Sequence, residues 1–122
     1  MISSRLNLVG MVTDMAYEIE FNNRQPLQEQ ESGLLKASFV YEFLITIGLT
    51  KTSAKVVFTE AGVEVIEHGG KDPEAAGRIA LQRLLKSGRN PFQNEIVLHI
   101  PHGYADHFAR YGNFDSLPVL LD

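Results

Sequence analysis

The run from Lys36 to Gly48 constrains this chain more than any other stretch. One alternating set of side chains is Ala37, Phe39, Tyr41, Phe43, Ile45 and Ile47; the other is Lys36, Ser38, Val40, Glu42, Leu44 and Thr46. Side chains alternate faces along a strand, so the first set makes a continuous apolar face and the second a mixed one. Dense aromatic and β-branched residues favour a strand here, with a helix starting from Ser32 as the competing reading. Val40 and Leu44 put apolar groups on the second face too, and a strand that is apolar on both faces calls for two covering layers.

The flanking segments supply fewer covers than that. Asn22–Gly33 is nearly all polar, with Pro26 and a closing glycine, and reads as an exposed connector or binding loop. Ala54–Thr59 and Val63–His68, separated by Glu60-Ala61-Gly62, read as a β-hairpin. The clearest helix starts at Asp72-Pro73-Glu74. Asp72 is placed to cap free amides, Pro73 suits the first helical position, and Glu74 sits near the positive end of the dipole. Ala76, Ile79, Ala80 and Leu84 then trace an apolar stripe to about Ser87, with Gly88 as the stop. Gly77 inside that helix costs about 1 kcal/mol relative to alanine, which predicts close approach to the sheet.

Glu95–Ile100 reads as a further strand closed by Pro101, and Ala105–Tyr111 as a short helix ending at Gly112. Leu117-Pro118-Val119-Leu120-Leu121 is too apolar for a free tail and should dock on the body or on a partner. At the front, Leu8, Met11, Val12, Met15 and Ile19 fit a helix, while Tyr17, Ile19 and Phe21 alternate as a strand. The reading adopted is a helix or extended segment to about Asp14, then a strand through Phe21. The fold class is therefore α+β: a mostly antiparallel sheet with one main covering helix, residues about 73–87, in a two-layer single domain over residues 1–122.

Composition narrows the function classes. With no cysteine, disulfide frameworks, thiol nucleophiles and Cys-ligated metal clusters are excluded. The 11 Lys and Arg against 15 Asp and Glu leave a formal net charge of −4, which argues against a nucleic-acid partner. So does the acidic opening Asp72-Pro73-Glu74 of the main helix. Gly69-Gly70-Lys71-Asp72 lacks the Walker and dinucleotide patterns and reads as a strand-to-helix turn. No apolar run reaches the roughly 20 residues of a membrane helix, and the start Met-Ile-Ser-Ser-Arg lacks a signal-peptide layout, so a cytoplasmic protein with no membrane partner is expected.

Chemistry concentrates in His99-Ile100-Pro101-His102-Gly103-Tyr104-Ala105-Asp106-His107, which holds three of the 4 histidines. On a helix starting near His102, His102 and Asp106 share one face, and His99 ends the strand before them. Imidazole and carboxylate groups suit a divalent metal, or an imidazole oriented by Asp106 acts as a general base. His107 is rotated about 100° away from Asp106 and drops out of the set. Tyr104 then serves as a hydrogen-bond donor at the rim, and Arg110 as an anion clamp or as the partner of Asp106. No metal-protease pattern accompanies the cluster, and the same residues read equally well as a capped, solvated helix.

Two functional readings follow. The leading one is a non-catalytic binding or interaction module, with a small-molecule ligand or a protein partner, acting as a homodimer. Phe39, Tyr41 and Phe43 supply its binding surface, and the missing cover over the sheet comes from the N-terminal segment, a second copy or a ligand. The alternative is a small hydrolase or lyase on His99, His102 and Asp106, working with a divalent metal or by acid–base chemistry.

Overall fold

A computed structural model describes residues 17–31 and 34–122. The elements are β1 (Glu18–Glu31), β2 (Leu34–Ile47), β3 (Thr50–Thr59), α1 (Glu60–His68), α2 (Pro73–Lys86), β4 (Ile96–Ile100) and α3 (His102–Tyr111). They build a four-stranded sheet in the order β1-β2-β3-β4. The first three strands are antiparallel, and β4 joins β3 in parallel after the two intervening helices. A parallel neighbour needs such a crossover, because a tight turn can only reverse the chain. The α+β class and the mostly antiparallel sheet are as expected.

The alternation in β2 works as its pattern predicts. Tyr41, Phe43 and Ile45 are buried, and on β3 so are Ala54, Val56 and Phe58. All three helices lie on this side and join one core cluster with them. Its aromatic rings meet at tilted and edge-on angles, such as Tyr41 and Phe58 with centroids 5.1 Å apart at 69°.

The α2 helix begins where its sequence says. The Asp72 carboxylate accepts from the Glu74 amide at 2.9 Å, and Pro73 occupies the first turn. Gly77 packs against the sheet so closely that a Cβ there would lie 2.8 Å from Phe43 Cζ. That contact explains a glycine in mid-helix. The Arg78 guanidinium ties the same helix to β1 by donating to the Ile19 carbonyl at 3.3 Å.

Two expectations are corrected. The polar run Asn22–Gly33 is not a loop: as far as Glu31 it forms the outer part of β1, in register with β2 down to Glu31↔Leu34. A register shift between Phe21 and Asn23 takes up Asn22 as a bulge. Polar residues and Pro26 are tolerated because β1 is an edge strand whose side chains from Asn22 to Gln28 face solvent. The ladder partner comes from β2, so β1 needs no alternation of its own there. Likewise, Val63–His68 is not the second strand of a hairpin but most of α1. Thr59 caps α1, its hydroxyl accepting from the Gly62 amide at 2.9 Å. Val63 and Ile66, three residues apart, are buried on one face of it.

Packing against α3 overrides the β-branched preference of that segment. A Cβ on Gly69 would stand 2.5 Å from the Ala109 carbonyl oxygen, and one on Gly62 would stand 3.5 Å from Ala105 Cβ. The two helices therefore meet along small residues. Lys71 closes their ends, donating to the carbonyls of Gly69 and Ala109 at 3.3 Å each.

The α3 helix starts at His102, ahead of the Ala105–Tyr111 run and where the His102–Asp106 reading put it, and is capped by Gly112 in the left-handed conformation, φ 74°. The tail folds back onto the body: Leu117 and Leu120 pack against the core, and Arg89 pairs with Asp122 at 2.7 Å. The expected strand through Phe21 is present as the start of β1. The helical or extended reading up to Asp14 lies outside the described residues.

Candidate interaction face

The opposite side of the sheet is built from the residues that the core alternation leaves over. On β2 these are Ser38, Val40, Glu42 and Leu44; on β3 they are Ser53, Lys55, Val57 and Thr59; β4 adds Val97 and His99. They align in cross-strand rows. Gln25, Val40, Val57 and His99 make one row, and Glu42, Lys55 and Val97 make the next. A broad trough of about 740 Å³ runs over them, from Gln25–Leu27 on β1 to His99–Pro101 beyond β4. Among the described residues no helix or loop covers this face. Val40, Val57 and Val97 are consequently only half-buried.

The electrostatics of the trough are mixed. Glu42 and Lys55 stand directly opposite each other across β2 and β3. Lys55 also reaches Glu95, 3.6 Å away at the start of β4. Both partners of that ion pair are well exposed, so it contributes little to stability.

A smaller recess of about 380 Å³ opens on the other side of the sheet, lined by Phe21, Asn23, Arg24, Tyr41, Glu67, Asp72, Pro73 and Glu74. The Arg24 guanidinium lies over the Phe39 ring, 4.9 Å from its centroid, and donates to the Tyr41 hydroxyl at 3.5 Å. That bond holds the Arg24 pKa above its ordinary value. Burial pushes the Tyr41 phenol up, and the Arg24 bond partly opposes the shift. Arg24 was invisible as a site residue in the sequence because it lies in the run read as a loop.

The residues singled out by sequence spread over three places. Tyr41 and Phe43 are core residues, 2% and 0% exposed, and Phe39 is half-buried beneath Arg24. His99 lines the trough, whereas His102 sits exposed on the first turn of α3. Asp106 pairs with Arg110 one turn along, at 3.3 Å, as its second reading anticipated. Tyr104 uses its hydroxyl to hold the tail, donating to the Pro118 carbonyl at 2.8 Å. His107 packs against Tyr111 with ring centroids 4.6 Å apart and the planes tilted by 49°. Among the described residues no three His, Asp or Glu side chains gather as a metal ion requires. Nor is any helix among them long and apolar enough to cross a membrane.

No family model, curated protein or solved structure matches this chain.

Proposed function

We propose that the chain is a non-catalytic interaction module whose binding surface is the open face of the sheet. The observation that carries this reading is a group of half-buried valines in a wide trough: Val40 and Val57 face each other across β2 and β3, and Val97 lies one row away on β4. Apolar groups on a surface that no described residue covers, rimmed by Ser38, Glu42, Lys55 and Thr59, have the make-up of a contact surface. The trough spans all four strands, from Gln25 on β1 to His99 on β4, which suits a protein surface or peptide. The hydrolase or lyase alternative lacks comparable support, because the Asp106 carboxylate is engaged by Arg110 and His102 stands on an exposed helix start.

Peptides selected from a random display library on the immobilised protein test the reading. They are expected to lose at least about tenfold in affinity, or about 1.4 kcal/mol, on Val57→Lys. Gln82→Lys on the solvent side of α2 should leave binding unchanged, and circular dichroism checks that both variants fold. Selected peptides that bind native protein and Val57→Lys alike would overturn the proposal.

A further inference from the structure

The occupant of the open face is itself legible in the sheet. We infer that it is a second copy of this chain, packed face to face about a two-fold axis that runs parallel to the strands, between β2 and β3. The inference rests on the open face being a binding surface.

A two-fold contact must be self-complementary, since each patch meets itself reversed. With the order β1-β2-β3-β4, the line between β2 and β3 is the centre of the sheet. Rotation about that line lays each β2 residue of one copy over the β3 residue of the other copy that shares its row. The rows are Ser38↔Thr59, Val40↔Val57, Glu42↔Lys55 and Leu44↔Ser53. Val40 therefore meets the other copy's Val57, and Glu42 meets the other copy's Lys55. Both contacts occur twice. Hydroxyl faces hydroxyl at Ser38 and Thr59. No like charges are brought together in these central rows.

Other placements lose this match. An axis across the strands at the charged row would set Glu42 over the other copy's Glu42, and Lys55 over its Lys55. A translated, head-to-tail stack would leave an open face at the end of every assembly and would not close. Packed sheets stand about 10 Å apart and cross at about 30°, so the match holds best in the two central strands.

Size sets the expected strength. Four strands at about 4.8 Å spacing make a face about 19 Å wide, and the four rows from Ser38 to Leu44 extend about 20 Å along the strands. That is a small interface beside the roughly 800 Å² per partner of standard complexes, so a weak, concentration-dependent dimer is expected. Its core is only the paired valines, and the charge rows then decide orientation and partner.

Charge exchange across the axis gives the test. Glu42→Lys alone sets cation against cation in both central contacts, and Lys55→Glu alone sets anion against anion. Each variant should associate with itself at least about tenfold more weakly than the native chain. An equimolar mixture of the two variants restores both contacts and should recover a species of twice the 13.6 kDa chain mass by sedimentation velocity. Each variant breaks the Glu42–Lys55 neighbour pair inside its own sheet, so recovery on mixing reports the contact between copies and not folding.

A native chain that dimerises while the mixture stays monomeric would overturn this axis. A native chain that remains monomeric up to millimolar concentration would overturn the self-pairing altogether. Peptide binding that is sensitive to Val57→Lys, alongside a monomeric native chain, would refute the self-pairing while upholding the open face as a binding surface.

Discussion

Val56 and Val57 are neighbours on β3, yet they belong to different parts of the molecule. Val56 is fully buried between Ala54 and Phe58, under the helices; Val57 points the other way into the trough and is half-buried. The backbone ladder is common to both, so the difference lies in what stands above each side chain. Helices give the covered face its close packing, down to a glycine set against Phe43. The open face has the same pleat and twist but, among the described residues, neighbours only in its own plane. One face is closed by helices, and the other is left uncovered by the described residues.

The largest expected effect measures that difference directly. Phe58→Ala should cost about 3–5 kcal/mol, and Val56→Ala about 2–3 kcal/mol from two lost methylene equivalents plus a cavity. Val57→Ala, in dilute protein, should cost under about 1 kcal/mol, because water already reaches the side chain. Urea unfolding of the three variants provides the comparison. Equal losses at Val56 and Val57 would show that the trough face is as buried as the core.

The next effect concerns how tightly the covered face is packed. In Gly77→Ala the new methyl must displace the Phe43 ring, which is 0% exposed and has no room to retreat. Overpacking costs about 1–3 kcal/mol, against about 1 kcal/mol gained in helix propensity. A net loss of up to about 2 kcal/mol is expected. Combining Gly77→Ala with Phe43→Leu should show a favourable coupling, since the smaller side chain makes room. A stabilised single variant would mean that α2 rides higher on the sheet.

The same comparison shows what the sequence carried. The covered face was legible wherever a local pattern coincides with a tertiary contact: the alternation of β2, the Asp72-Pro73 cap, and Gly77 as a point of close approach. Two elements were not legible, and each for a physical reason. Val63, Val65 and Ile66 favour a strand locally, and α1 forms because Gly62 and Gly69 allow it against α3, whose Ala105 and Ala109 lie far along the chain. Only the Thr59 cap and the spacing of Val63 and Ile66 pointed the other way. The outer part of β1 has no pattern of its own and takes its conformation from β2.

The site divides similarly. Apolar residues on the second face of β2 signalled an unfinished layer, and the trough lies there. The histidine segment looked like a cluster because its residues are close in sequence. The strand and helix it spans send His99 to the trough and His102 to the exposed start of α3.

The smallest effect lies at the rim of the covered face, where Tyr41 meets solvent beside Arg24. Its ring is core, but its hydroxyl borders the recess that also holds Glu67 on α1, Asp72 ahead of α2 and Glu74 on α2. Burial is the main reason that the phenol holds its proton above its ordinary pKa; the bond from Arg24 works against the shift, and the Glu67 and Asp72 carboxylates add to it. An unfolded chain releases that proton near pH ~10. Between that pH and the raised native value, the unfolded state binds fewer protons than the native state, so stability must fall as pH rises. Below the unfolded value both states keep the proton, and no pH dependence arises from this group. Tyr41→Phe removes the ionisation together with the bond to Arg24. Loss of the bond shifts stability at every pH, whereas loss of the ionisation flattens the alkaline limb alone. Urea midpoints from about pH 8 to about pH 11 should therefore fall more steeply for the native chain than for Tyr41→Phe. Parallel curves would mean that the phenol ionises as freely in the fold as outside it, and that the covered face admits water at this rim much as the open face does.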